Sequence, residues 1–227
     1  MAKWIFLVGI DGSGKTTHAL RLLRELNTAG LEAKYVYMRG SARLFLTIPF
    51  LVLMRLLGFI RTYTSPNGLK VSIHFFSKNK AAQVIYPIVV YFDACFYTFF
   101  LLYIPTILSN HLTIVDRCVI DTLIDTVADL INFKILKRYR RLFLKLVPTN
   151  SVIVLFDIDE KLAMNRKKDI PTLQYLKLRR RLYLKLAKLY NWAIVNTNFD
   201  FKTAHQKLLW KCYKQIPQIY SLLCNKE

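Results

Sequence analysis

The sequence predicts an α/β fold in three layers, with a parallel sheet of about five strands and helices on both faces. Short segments rich in β-branched and aromatic residues alternate with longer segments of helical periodicity, which is typical of βαβ units. The chain has 227 residues, of which 54% are hydrophobic, and no linker or internal repeat separates its halves. We therefore expect a single domain across residues 1–227.

The predicted elements follow one another in a regular order. The first strand is expected at Trp4–Val8, followed by a glycine-containing loop and a helix with leucines at helical spacing up to Gly30. Four further strands are predicted from short apolar runs at residues 34–38, 112–115, 151–156 and 193–195. Further helices are predicted at residues 121–133, 134–147 and about 173–190.

Two apolar segments, residues 44–60 and 84–109, fit this plan less well. The second contains Asp93 as its only charged residue and is long enough to cross a membrane. Pro87 and Pro105 interrupt it, and a carboxylate is costly in lipid, so a buried central helix is favoured over membrane contact. Residues 41–83 are expected to form an atypical apolar insertion.

Charge and cysteine content restrict the function classes. The formal net charge is +20, and the basic residues are concentrated at 134–145 and 161–188, so partners should be anionic. No recognised nucleic-acid-binding module is present. Four scattered cysteines without C-x-x-C spacing argue against a zinc site and a disulfide framework. Because the short apolar start lacks a secretory cleavage site, a cytoplasmic location is expected.

Residues 9–16 read G-I-D-G-S-G-K-T and match G-x-x-x-x-G-K-[ST] at every required position. In such a loop, backbone N–H groups and the start of the following helix hold phosphate oxygens. Lys15 is expected to reach the β- and γ-phosphates, and the Thr16 hydroxyl to bind Mg²⁺. ATP and Mg²⁺ are thus the predicted cofactors. The predicted cofactor-binding residues are Gly9, Asp11, Gly12, Ser13, Gly14, Lys15, Thr16 and Thr17.

Two later segments complete this prediction. The strand at 112–115 runs into Asp116, and an acid at the end of a neighbouring strand is the natural partner of Thr16 in holding the metal. Phosphoryl transfer also needs cations on a segment that closes over the substrates. Arg166, in a lid segment near residues 160–172, is the first candidate, and a solvated helix face is the alternative.

The order of these motifs resembles the thymidylate kinase family. Its members have a similar G-x-D/E-G-x-G-K-T loop, an Asp-Arg pair after a later strand, here Asp116-Arg117, and an arginine-bearing lid. The resemblance covers most of the chain and is weakest at residues 41–83. It implies a P-loop kinase fold, ATP and Mg²⁺ as cofactors, a nucleoside monophosphate as acceptor, and a homodimer.

The resemblance also implies roles for individual residues. Asp11 would face the sugar or phosphate of the acceptor, and Arg117 would contact the acceptor phosphate. Gly12 inside the loop, where another branch has arginine, favours Arg166 as the catalytic arginine from the lid. The family's arginine on the helix before the Asp-Arg strand is missing here, and Asp93 is the charge nearest that position. Arg39 is a further candidate ligand of the acceptor phosphate.

The leading hypothesis is phosphoryl transfer from ATP to a nucleoside monophosphate, with dTMP to dTDP the best single choice. Its predicted catalytic residues are Lys15, Asp116, Arg117 and Arg166, and its acceptor-binding residues are Asp11, Arg39, Asp93 and Arg117. One alternative is a P-loop kinase for a more apolar or membrane-borne acceptor, for which peripheral membrane contact would matter. Another is an ATP-binding switch or nucleic-acid-associated ATPase that uses the basic faces.

Overall fold

A computed structural model describes residues 4–38, 45–64, 70–74, 76, 79–108, 111–167, 170 and 172–217. Its strands, numbered along the chain, are β1 (Trp4–Val8), β2 (Ala33–Tyr37), β3 (Ile60–Thr64), β4 (Lys70–His74), β5 (Leu112–Asp116), β6 (Ser151–Asp157) and β7 (Ala193–Asn196). Five of them form one parallel sheet in the order β2-β5-β1-β6-β7, while β3 and β4 pair as an antiparallel ribbon. The predicted α/β class with a five-stranded parallel sheet is confirmed.

Helices surround this sheet. They are α1 (Lys15–Thr28), α2 (Thr47–Leu56), α3 (Lys80–Thr98), α4 (Ile104–Ile107), α5 (Val119–Leu130), α6 (Phe133–Lys145), α7 (Glu160–Arg166), α8 (Leu173–Tyr190) and α9 (Phe201–Tyr213). Successive side chains of β1 enter two different apolar clusters, because strand residues alternate between the faces of a sheet. Ile5 packs with the side chains of α1 and α9, whereas Phe6 packs with those of α5 and α8.

The register of the sheet brings two chain segments to one edge. Leu7 of β1 lies opposite Asp116, the last residue of β5, and Tyr37 of β2 lies opposite Asp116 on its other side. The carboxyl ends of neighbouring parallel strands meet at the same edge, where open α/β sheets bind their ligands. The loop that follows β1 therefore lies beside the end of β5.

The two apolar segments form mainly helices in the part of the chain that the structure describes. The part of residues 41–83 that the structure describes contains α2 and the β3-β4 ribbon. Helix α3 continues through a π-helical turn, Phe99–Tyr103, into α4, and together they form a segment long and apolar enough to cross a membrane. Only 33% of its most apolar window is buried, so α3 packs into the core along one side and leaves apolar side chains exposed along the other.

Candidate functional site

The glycine-rich loop, residues 9–16, joins β1 to α1 and depends on its glycines. Gly12 and Gly14 have φ values of 81° and 85°, a left-handed conformation that side chains disfavour. A Cβ atom on Gly9 would lie 2.5 Å from the Phe156 carbonyl oxygen, and one on Gly12 would lie 2.4 Å from the Ala163 carbonyl oxygen. The loop is therefore packed closely between the end of β6 and α7, and it leads directly into the amino terminus of α1.

Lys15 is folded back over this loop. Its Nζ donates hydrogen bonds to the Gly9 and Ile10 carbonyl oxygens at 2.8 and 2.7 Å and to Ser13 Oγ at 3.2 Å. Burial, assisted by the nearby Arg117 charge, lowers the pKa of Lys15 to about 8. All three partners are uncharged, and an ammonium group forms stronger hydrogen bonds with anions. An anion in the loop would therefore compete effectively for this lysine.

Thr16 and Asp116 are in direct contact at the sheet edge. Thr16 Oγ1 donates to Asp116 Oδ2 at 2.5 Å, and Tyr35 OH donates to the same oxygen at 3.0 Å. The other carboxylate oxygen, Oδ1, is buried and has no hydrogen-bond partner among the described residues. Because an unpaired buried acceptor is costly, this oxygen is suited to a cation or to water.

The donor set fits one class of metal ion. No group of three or more His, Cys, Asp or Glu side chains in the described part of the chain could hold a metal. Mg²⁺ commonly needs fewer protein ligands, because it retains waters and binds one or two protein oxygens together with substrate phosphates. The Thr16 hydroxyl and the Asp116 carboxylate are ligands of that kind, so the residues fit Mg²⁺ that arrives with a nucleotide.

Asp11 links the end of β5 to the end of α7. Its Oδ1 accepts hydrogen bonds from Arg117 at 2.5 Å and from Lys167 Nζ at 3.3 Å. The φ value of Arg117 is 66°, and its backbone N–H is fixed by the Leu7 carbonyl oxygen. Burial opposes the charge of Arg117, but the Asp11 and Asp121 carboxylates outweigh it and raise its pKa. Arg117 is thus a charged side chain held in a strained backbone position beside the loop.

Three residues near this cluster were missed by the sequence analysis. Asp121 Oδ2 accepts from the Cys118 N–H at 2.7 Å, and Tyr183 OH donates to Asp121 Oδ1 at 2.5 Å. Burial raises the pKa of Asp121. Tyr35 is the third, and burial followed by the Asp116 charge raises its pKa. The Cys118-to-Asp121 spacing is that of a capping box, but cysteine is an unusual N-cap residue.

The arginines near the lid have different environments. Arg180 is paired with both Asp157 oxygens at 2.6 and 3.0 Å and with Glu160 at 3.1 Å. Arg179 is buried and contacts Asp125 and Asp129. By contrast, Arg166 is exposed at the end of α7 and donates to the backbone carbonyl oxygen of Thr197, beyond β7, at 3.1 Å.

The remaining predicted residues are distributed more widely. Thr17 is exposed in the first turn of α1. Asp93, in α3, contacts the start of α2: its Oδ1 accepts from the Leu46 N–H at 3.0 Å and its Oδ2 from the Thr47 N–H at 2.8 Å. Arg39 and residues 168–169 and 171 of the lid segment lie outside the described residues. The structure thus brings Lys15, Thr16, Asp116, Asp11 and Arg117 together, and it ties Asp93 to α2.

This arrangement can bind an anion in the loop and a cation beside it, with further positive charge from Arg117 and Lys167.

Neither a scan against protein-family models nor a search of curated proteins gave a match to this chain.

Proposed function

We propose that this protein is an ATP-dependent kinase that transfers the γ-phosphoryl group to a nucleoside monophosphate, with dTMP the best single choice. One observation carries the proposal. Thr16, which follows the glycine-rich loop's lysine, contacts Asp116, whose second carboxylate oxygen is buried and has no hydrogen-bond partner among the described residues. A hydroxyl and a carboxylate in this relation to a phosphate-binding motif are the usual ligands of a nucleotide-bound Mg²⁺.

Each group has a physical role in this reaction. The N–H groups of the loop and Lys15 would hold the β- and γ-phosphates, once Lys15 exchanges its carbonyl partners for phosphate oxygens. Mg²⁺, held by Thr16 and Asp116, would neutralise charge on the transferring group. Arg166 would approach from the end of α7 and stabilise the same charge. The chain needs no protein nucleophile, because this chemistry depends on positioning and electrostatics.

The acceptor side is assigned from charge and from the resemblance to thymidylate kinases. Arg117 and Lys167 place two cations on Asp11, next to the loop that would hold the donor. A monophosphate has the charge to compete with Asp11 for these side chains, whereas an uncharged alcohol does not. The choice of a monophosphate therefore rests on this cation pair, and the choice of thymidylate rests on the resemblance alone.

The test measures ADP release by the purified protein with ATP and Mg²⁺, with dTMP, dUMP, UMP, CMP, AMP or GMP as acceptor. We expect stimulation by dTMP and a loss of about 10²-fold or more in Lys15→Ala and Asp116→Asn. Lys185→Ala, which removes an exposed lysine of α8, is the matched control and should retain full activity.

Direct ATP binding separates the two parts of the proposal. If ATP binds in a Lys15-dependent manner but no monophosphate stimulates ADP release, the assignment of the acceptor is wrong and the donor site remains. If wild-type protein does not bind ATP with Mg²⁺, both parts are wrong.

A further inference from the structure

Helix α3 presents a row of large apolar side chains to solvent. Its members are spaced three or four residues apart, so they share one side of the helix. They are Ile85, Ile88, Phe92 and Phe96 of α3 and Phe99 at the start of the π-helical turn that continues it, each between 40% and 57% exposed. The opposite side, which includes Tyr86, Val90 and Ala94, is buried in the core. Single exposed apolar residues are common on soluble proteins, but a continuous row marks an interaction surface.

Helix α2 extends this surface. The Phe45 and Phe96 rings are in contact, with centroids 4.9 Å apart, and Asp93 fixes the start of α2 to the middle of α3. Exposed apolar side chains on and beside α2 are Leu46, Ile48, Val52, Leu53, Leu56 and Leu57. The exposed side chains of α2 and α3, together with Phe45, are called the α2–α3 face below.

Apart from the buried Asp93, the charged residues of the segment that forms the α2–α3 face, and those of the adjacent helix α6, are basic. Between residues 45 and 108 the sequence has a single acid, Asp93, and that carboxylate is buried against α2. Arg55 and Lys80 are exposed at the ends of α2 and α3. Helix α6 packs against α3 through the Phe143 and Tyr91 rings, and it has six basic residues and no acid.

This charge pattern distinguishes between occupants. The basic rim of the α2–α3 face consists of Arg55, Lys80 and the basic residues of α6. A second copy of the chain would bring two such rims together, and their like charges disfavour association at the apolar face. An anionic lipid surface would instead accept the apolar side chains at the level of its acyl chains and pair its headgroups with the basic rim. Helices that bind membrane surfaces commonly combine an apolar side with nearby lysine and arginine.

We propose that the α2–α3 face docks on the surface of an anionic lipid bilayer, with α3 lying in the plane of the interface. The helix does not cross the bilayer in this arrangement, because its other side is packed into the core and includes the buried Asp93. This docking is independent of the proposed kinase activity, since none of the loop residues takes part in it.

The experiment is co-sedimentation of the full chain with vesicles of phosphatidylcholine alone or of equimolar phosphatidylcholine and phosphatidylglycerol. We expect binding to the anionic vesicles that weakens with added salt, and much weaker binding to phosphatidylcholine. Phe92→Gln/Phe96→Gln should reduce binding at least tenfold. The control Leu20→Gln/Trp210→Gln removes two comparably exposed apolar side chains from α1 and α9, on the other side of the sheet, and should bind as wild type.

Two further measurements cover the remaining outcomes. Arg55→Glu/Lys80→Glu leaves the apolar side chains in place and should also weaken binding to anionic vesicles, so the proposal does not depend on the folding of the phenylalanine variant alone. Light scattering gives the mass of the soluble protein. The proposal is overturned if the wild-type protein does not bind anionic vesicles, or if the control variant Leu20→Gln/Trp210→Gln loses as much vesicle binding as Phe92→Gln/Phe96→Gln. It is also overturned if the wild-type protein is a dimer that does not bind vesicles and Phe92→Gln/Phe96→Gln converts it to a monomer.

Discussion

Replacement of Asp93 by alanine tests whether this residue stabilises the fold or binds an acceptor. The Asp93 carboxylate is 3% exposed and accepts three hydrogen bonds, from the Leu46 N–H, the Thr47 N–H and Thr47 Oγ1. Loss of an N-cap costs about 0.5–2 kcal/mol, and a further hydrogen bond to a charged group contributes about 1.5–3 kcal/mol. We therefore expect Asp93→Ala to lower the free energy of unfolding by about 3 kcal/mol.

Thermal unfolding measures this change directly. For a chain of this size, 1 kcal/mol shifts Tm by about 2–4 °C, so Asp93→Ala should lower Tm by about 6–12 °C. Asp200→Ala is the matched control, because Asp200 caps α9 through the Thr203 N–H in an exposed position, and it should lower Tm much less than Asp93→Ala does. A Tm equal to that of the control, together with a raised KM for the monophosphate, would show that Asp93 acts on the acceptor.

Three other changes have distinct expected results. The pKa of Lys15 is lowered from 10.5 to about 8. Between these two pH values the unfolded chain binds the Lys15 proton and the folded chain does not, so the free energy of unfolding should rise with pH in this range. Bound phosphate should restore the positive charge of Lys15. Calorimetry at about pH 9 should therefore show uptake of up to about one proton per ATP, and none at about pH 6.5. Equal uptake at both pH values would contradict this. Gly12→Ala should destabilise the fold by about 1–3 kcal/mol more than Gly30→Ala. Both glycines have φ near 80°, but only at Gly12 would the added Cβ lie within 2.4 Å of a carbonyl oxygen. Equal losses in Tm would refute the steric reasoning. Burial lowers the pKa of His18 from 6.5 to about 4. As the pH falls through this range, the unfolded chain takes up a proton on His18 before the folded chain does, so the free energy of unfolding should fall, by no more than about 3 kcal/mol. His18→Phe should flatten the dependence of Tm on pH.

The parallel strands could be predicted from short apolar runs, which are clearest in the three central strands β1, β5 and β6, because these are mostly buried. The predicted strand at residues 151–156 is observed at Ser151–Asp157, and the one at 34–38 is observed at Ala33–Tyr37. Short apolar runs leave little choice of conformation when both sides of a strand are covered. The β3-β4 ribbon was missed, because Ile60–Thr64 reads I-R-T-Y-T and has no apolar run to mark it as a strand.

Helix ends were predicted less well, for a local reason. The boundary expected between residues 133 and 134 is observed at Ile131 and Asn132. Ile131 ends α5 with a left-handed φ of 50°, and the Asn132 side chain accepts a hydrogen bond from the Lys134 N–H to begin α6. Apolar periodicity continues across this break, so only the asparagine marks it in the sequence.

Some residues of the candidate site have a local signal in the sequence, and others do not. The loop residues are adjacent in sequence and form a recognisable motif, and Asp116 follows from the end of its strand. Tyr35 and Tyr183 reach their carboxylate partners across 81 and 62 residues, respectively. The partner of Asp93 is 46 residues away at the start of α2. Such contacts are set by tertiary packing, for which a single sequence has no local signal.

The contacts of the glycine-rich loop also bear on how a lid arginine could act. Gly12 packs against the backbone of Ala163 in α7, while the adjacent Asp11 binds Lys167 at the end of the same helix. A movement of the loop on binding phosphate would therefore be transmitted to α7 through a steric contact and an ion pair. Among the described residues, Arg166, one residue before Lys167, donates a hydrogen bond to one neutral carbonyl oxygen, which an anionic phosphate could replace at low cost. Arg180 is tied to the two carboxylates of Asp157 and Glu160, so its release would cost far more. Of these two arginines, Arg166 is thus the one that could follow α7 to the transferring group in the proposed reaction.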